Sequence, residues 1–210
     1  MKTPVIVALS IFLSVFSNEA TAQTKTHFEI GGGYASNTLS TGVLSNWEGG
    51  WSINVAALYD LAACLQLTAR TSYQQHDYAG NSLQLVTPRV LSFRREIDGD
   101  NTHVYELSFG ARFVDKAKIK LFFAVRGGLL WIDAGRIRIA QRYLYAPDIL
   151  SISNYPGSGE SLRKGFVLVG SGFLIPIIDR LNLVLESGLL STFDREEVII
   201  PLTASVQIGL

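Results

Sequence analysis

Apolar and polar residues alternate with a period of two, connections between the alternating segments are by turns long and short, and no apolar run of about 18 residues follows Gln23. Together these observations predict an all-β fold, an eight-stranded antiparallel up-and-down barrel that crosses a membrane with strands. The composition agrees: the 210 residues are 48% hydrophobic and only 17% charged, against about 25% charged residues in a soluble domain. Eighteen basic residues balance eighteen acidic ones, so no global field favours nucleic acid, and none is expected as a partner.

The chain starts Met1-Lys2, continues through an apolar run over residues 5–16, and reaches Ala20-Thr21-Ala22 before Gln23. A charged start, an apolar stretch and an A-x-A site make a secretory signal peptide over 1–22, leaving 23–210 as one barrel domain. The apolar run is too short to cross about 30 Å of hydrocarbon as a helix. Cys64 is the only thiol, so neither an internal disulfide nor a lipid-modified N-terminal cysteine is expected.

The strands follow in order. Residues 26–36 form the first, its period blurred by Gly31, Gly32 and Gly33. In the second, Trp51, Ile53, Val55, Ala57 and Tyr59 alternate with Ser52, Asn54, Ala56 and Asp60. In the third, Leu65, Leu67, Ala69, Thr71 and Tyr73 alternate with Gln66, Thr68, Arg70, Ser72 and Gln74. Tyr105, Leu107, Phe109, Ala111 and Phe113 against Glu106, Ser108, Gly110 and Arg112 make the fourth. Residues 119–133, 165–176 and 181–193 are the fifth to seventh, where glycines or two-sided apolar runs weaken the alternation. The eighth is the clearest: Val198, Ile200, Leu202, Ala204, Val206, Ile208 and Leu210 share one face. Successive side chains on a strand point to opposite sides, so each such segment has an apolar and a polar face.

The gaps are 37–49, 61–63, 77–102, 115–118, 134–164, 177–180 and 194–196, alternating long and short except for the last. Short periplasmic turns and long external loops would put both termini in the periplasm. Aromatic residues fall at strand ends: Tyr34, Trp51, Tyr73, Tyr105, Trp131, Phe166 and Phe193 at the external end, Phe28, Tyr59 and Phe113 at the periplasmic end. Two girdles around an aliphatic band fit a bilayer with two interfaces, whereas a sandwich core would hold its aromatics mid-strand.

The signal peptide, these eight strands and a last strand ending Val206-Gln207-Ile208-Gly209-Leu210 resemble the small OmpA-like and OmpX-like outer-membrane barrels. The resemblance covers nearly all of 26–210 and consists of residue classes, not a fixed string. The family usually closes on an aromatic residue, where this chain has Leu210. The resemblance implies residence in the bacterial outer membrane, contact with its lipid and lipopolysaccharide, insertion by the barrel-assembly machinery, and a monomer.

An eight-stranded lumen is just wide enough to be filled by side chains. Alternation turns Glu29, Asn54, Gln66, Arg70, Glu106, Arg112, Arg126 and Glu186 inward. Arg70, Glu106 and Arg126 lie on three consecutive strands at similar heights, so an ionic cluster is expected there. A salt-bridge plug is the leading reading and a narrow ion channel the alternative.

Some eight-stranded barrels of this membrane modify lipid A with His and Ser near the external leaflet. The candidates here are His76 and His103 at the outer rim, with Ser72, Ser82, Asp77 and Glu106 near in sequence. No G-x-S-x-G elbow accompanies them, and the favoured reading is non-enzymatic, with no catalytic residues, cofactor or metal. His27, at the start of the first strand, is read as structural. Asp98-Gly99-Asp100-Asn101 reads as a turn, since a calcium loop would need Glu where Phe109 stands. The three glycines lack the strand-to-helix setting of a phosphate loop. Residues 83–95 can extend strands beyond the membrane as a hairpin, either capping or adhesive. Arg136, Arg138, Arg142, Arg163 and Lys164 can pair with lipopolysaccharide phosphates, and an extracellular ligand for the loops is expected.

Overall fold

The computed structural model describes residues 26–78, 83–86, 93–117, 119–143, 150–154 and 158–210. The expected signal peptide lies outside them, as do Ser82 and the side chain of Arg142. The described residues form twelve strands: β1 (Thr26–Ser36), β2 (Gly50–Ala62), β3 (Leu65–His76), β4 (Leu83–Val86), β5 (Phe93–Gly99), β6 (Thr102–Val114), β7 (Lys120–Asp133), β8 (Ile137–Tyr143), β9 (Leu150–Asn154), β10 (Ser161–Ile178), β11 (Leu181–Thr192) and β12 (Val198–Gly209). Eight of them close a barrel in the order β1-β12-β11-β10-β7-β6-β3-β2. Every neighbouring pair is antiparallel, and β1 pairs with β12 from His27 opposite Gly209 to Ser36 opposite Ile200. With the ends joined, no edge of the wall is left with unpaired amides, a condition that hydrocarbon imposes on a sheet. Each barrel strand reaches or exceeds the 9–11 residues that a tilted strand needs to span a bilayer.

Burial is inverted relative to a soluble protein. Ile30 is 63% exposed, Phe109 59% and Leu202 60%, while Glu29, Arg112 and Arg126 are at most 1% exposed. The exposed apolar side chains alternate with the buried polar ones along β2, β3, β6 and β12. Only a wall with lipid outside and a filled, polar lumen inside makes that pattern stable, because an aqueous exterior would leave the whole outer face unburied.

The alternating connections appear as expected. At one end lie the short turns, such as the one at Arg180 with φ 67°, together with both described chain ends. At the other lie the long connections, two of which contain a feature beyond the expected hairpin. β4 and β5 form a hairpin, β8 and β9 a second, and β5 pairs with β8, giving a four-stranded sheet in the order β4-β5-β8-β9. The reason lies in the wall: β6 and β7 are barrel neighbours. Only two residues separate β5 from β6 and three separate β7 from β8, so the extensions of adjacent strands remain adjacent above the rim.

One expected girdle residue is placed elsewhere. Phe166 is fully buried and packs inside the barrel against Leu168, Leu190 and Leu130, where Phe193 instead takes the outward position, 73% exposed. Its ring covers Gly165, where a Cβ would collide with it. Tyr34, Trp51, Tyr59, Tyr105 and Phe113 are exposed and Tyr73 and Trp131 half-buried on the outer face. Trp51, Tyr73 and Tyr105 run side by side along β2, β3 and β6, with ring centroids 5.2 and 5.3 Å apart.

Candidate functional site

The chemistry of this molecule is concentrated inside the barrel. Glu29 on β1, Arg70 on β3, Glu106 and Arg112 on β6, Arg126 on β7 and Glu186 on β11 all point inward and are buried. Glu186 is the hub. Its carboxylate accepts from Arg70 Nη1 at 3.1 Å, from Arg112 Nη2 at 3.5 Å, from Arg126 Nη1 at 3.4 Å and from Arg126 Nη2. Arg112 also donates to Glu29 at 3.1 Å, and its guanidinium lies 4.3 Å from the Phe122 ring centroid. Arg126 crosses the lumen over Gly110, the residue opposite it on β6, where any Cβ would meet its stem.

The sequence grouping of Arg70, Glu106 and Arg126 is thus arranged differently from a simple triad. Both arginines converge on Glu186, and Glu106 accepts instead from the hydroxyls of Ser72 at 2.9 Å and Ser108 at 2.7 Å. Three cations face three anions, so the band is neutral as a whole, as buried charge must be to persist. Asn54 and Gln66 line the same lumen, and Gln66 reaches Asp60 at 2.8 Å. On this wall Ser52 Oγ, Asn54 Nδ2, Thr68 Oγ1 and Gln207 Nε2 are buried without partners among the described residues, which is a place for internal water.

Apolar layers flank the band. At the short-turn end Val114, Phe122, Ala124, Leu174 and Val184 pack together. At the long-loop end Val104, Leu130, Ile132, Phe166, Leu168, Leu190 and Ile199 close around Leu44, which comes from a short 3-10 helix, Val43–Asn46, in the first long connection. That helix is pinned by the connection that leads into β12, the barrel neighbour of β1. Glu197, fully buried, accepts from the amides of Val43 at 2.7 Å and Leu44 at 3.1 Å, and Asn37 Nδ2 donates to the carbonyls of Leu44 at 2.6 Å and Trp47 at 3.0 Å. Lys164 pairs with Asp194 at 3.0 Å, Glu196 at 2.7 Å and Glu197 at 3.4 Å. In the sequence this clasp shows only as a short gap at 194–196 and a pair of acids, Glu196-Glu197, just before a strand.

Asp194 sits outside the spanning segments. The Thr192 hydroxyl, donating at 2.5 Å, followed by Lys164, holds its carboxyl down to about 2. A depressed carboxylate contributes stability that is fully present above its unfolded value near 4 and disappears as pH falls toward 2. The rim should therefore loosen across that window. Solvent screening of a largely exposed carboxylate keeps the effect below about 1 kcal/mol. Measured by hydrogen exchange at the Thr41 and Gly42 amides, which bond to the Glu196 carbonyl, Asp194→Asn should remove most of this pH dependence; an unchanged profile would exclude the role of Asp194.

The two rim histidines do not form a pair. His76 points into the lumen, fully buried, with Nδ1 3.2 Å from the Glu48 carbonyl and Nε2 3.2 Å from Gln74 Oε1. His103 lies on the outer face, stacked on Tyr73 and 2.8 Å from its hydroxyl. Ser72 is engaged by Glu106, so among the described residues no His-Ser-acid chain is assembled around either ring. His27 pairs with Asp60 at 2.9 Å at the short-turn end. Among the described residues no three His, Cys, Asp or Glu side chains group as metal ligands. The expected turn at Asp98-Gly99-Asp100-Asn101 is not formed: Asp98 and Gly99 pair with Arg138 and Ile137 at the end of β5, while the Asp100 amide bonds to the Arg136 carbonyl and its own carbonyl accepts from Trp47 Nε1.

A closed eight-stranded wall with an apolar exterior and a filled, charged interior defines a transmembrane β-barrel of the small outer-membrane type. No family model and no curated protein sequence matches the chain. Among solved structures, it is similar to Neisserial surface protein A (13% identity, 88% of this chain and 96% of the other, TM-score 0.46). It is likewise similar to Ail, the attachment invasion locus protein of Yersinia pestis (14%, 89% and 100%, 0.47), and to the N-terminal β-barrel domain of Pseudomonas aeruginosa OprF (12%, 90% and 100%, 0.43).

Proposed function

We propose that this chain is a non-enzymatic outer-membrane protein, made with a cleaved signal peptide over 1–22 and inserted by the barrel-assembly machinery. Its termini face the periplasm. It supports the envelope structurally and presents its long-loop end to lipopolysaccharide or an external ligand. The observation that carries this reading is the filled lumen: a neutral ionic band between two apolar layers, with Leu44 seated in the outer one. Such an interior gives rigidity in place of a route for ions or a cavity for a substrate. The long-loop end offers the surface, with Arg136, Arg138 and Arg163 exposed near the rim, where their guanidinium forks suit phosphate. Lys164 is already engaged by three carboxylates and is not counted with them.

Two readouts on the same preparation test the proposal. Lipid A from cells producing the chain should have the same mass spectrum as lipid A from cells lacking it, and purified protein should leave a planar bilayer silent. A new acylated or deacylated species would establish an enzyme, and steady conductance a channel; either result overturns the reading.

A further inference from the structure

On the lipid-facing wall two neighbouring strands carry serines side by side. Ser171 on β10 and Ser187 on β11 stand directly opposite each other, both pointing outward and exposed. Counting outward positions along each strand, Ser171 lies close to the middle of the span from Arg163 to Ile177, and Ser187 midway between Leu181 and Phe193. Both hydroxyls therefore sit near the bilayer centre. They form the floor of an open groove of about 330 Å³ walled by Phe123, Val169 and Leu189.

Two other outward aliphatic hydroxyls in the wall are satisfied internally: Thr71 donates to the Glu106 carbonyl at 3.0 Å and Ser191 to the Thr192 carbonyl at 3.3 Å. Neither Ser171 nor Ser187 has a hydrogen-bond partner among the described residues. In hydrocarbon an unmet hydroxyl is costly, and acyl chains offer nothing to meet it.

We propose that this groove is the interface of a homodimer in the membrane, a second copy of the chain being its occupant. Symmetry supplies the argument. Two copies inserted in the same sense can be related by a two-fold axis along the membrane normal, which brings the same patch of each face to face. Viewed from outside, the patch has Ser171 on one side and Ser187 on the other at similar depth. Facing copies are left-right reversed, so Ser171 of one meets Ser187 of its partner, twice. A hydroxyl both donates and accepts, so the pair is self-complementary and all four groups are satisfied at once. Small polar residues that permit close approach are what drives association between spanning segments, where lipid is as apolar as the protein. The sequence resemblance implies a monomer, and the two readings are separated by the test below.

The test uses two tagged full-length chains in native outer membranes, both carrying Cys64→Ser, one with Ser171→Cys and the other with Ser187→Cys. Placing one thiol on each chain excludes links within a barrel. The matched control is Val55→Cys with Thr71→Cys, a directly opposed outward pair on the far side of the barrel. Oxidation should link the 171 and 187 chains about tenfold more than the control pair, and sedimentation of the Ser171→Leu/Ser187→Leu protein should show a dimer weakened by about tenfold, the effect of losing a few such bonds. The heat-dependent gel mobility of each variant shows that the barrel itself is intact. Equal linking at both pairs would mean random collision, no linking would mean that lipid fills the groove, and a product of another mass would mean a different partner; each overturns the proposal.

Discussion

Replacing Glu186 with glutamine should destabilise the barrel by about 3–5 kcal/mol, the cost of leaving buried charges without their partner. Glu186 is the only carboxylate within ion-pair distance of Arg70 and Arg126 among the described residues. Glutamine keeps the volume but removes the charge, so two fully inward guanidinium groups lose their counterion and Arg112 retains only Glu29. Urea titration of the protein in lipid vesicles reads the effect as a lower midpoint at unchanged slope. Pairing Glu186→Gln with Arg126→Met should recover part of the loss, because the second change removes one uncompensated cation; the double-mutant cycle then isolates the coupling. Additive losses would show that the two residues do not share an ion pair. A stable Glu186→Gln barrel would show that the band is hydrated enough to screen its charges.

The second large effect concerns the outside of the wall and has the sign opposite to that in a soluble protein. Phe109 is 59% exposed near the middle of β6. In water, arginine at such a position would be tolerated and would improve solubility. Against lipid it should cost about 2–4 kcal/mol at the midplane, falling to about 0–1 kcal/mol near the interfaces. Phe109→Arg should therefore fold into vesicles with sharply reduced stability, while an arginine at the rim, as the native Arg163 already is, costs little. Vesicle-folding titrations of the two classes of variant would separate them, and equal stability would mean that Phe109 does not face hydrocarbon.

The barrel strands were legible because lipid and lumen impose opposite polarity on alternate residues, which leaves a period of two in β2, β3, β6 and β12. β10 shows where that signal ends. In Gly165-Phe166-Val167-Leu168-Val169 both faces are apolar, since the lumen at that height is closed by an apolar layer; the alternation has no phase, and Phe166 falls on the lumen side and not in the girdle. Of the sheet above the rim, the hairpin over 83–95 is visible in the sequence, whereas β8 shows first as positive charge. Arg136-Ile137-Arg138-Ile139 alternates, and the structure buries both isoleucines and exposes both arginines.

The membership of the charged band could be read from sequence, but its wiring could not. Which arginine meets which glutamate depends on how far the strands are staggered around the closed wall, and that stagger is set by register, not by residue class. Glu186 lies 116 residues from Arg70 and 60 from Arg126, so only closure brings them together. The Glu197 clasp on the 3-10 helix is similarly long-range, joining the first long connection to the last strand.

Electrophoretic mobility of boiled against unboiled protein from purified outer membranes tests the central claim most directly. A closed transmembrane barrel resists detergent until heated, so the unboiled protein should recover in that fraction and migrate faster than the boiled one. Recovery as soluble periplasmic protein with identical mobility in both lanes would contradict the barrel, its orientation in lipid and the charged interior built on it.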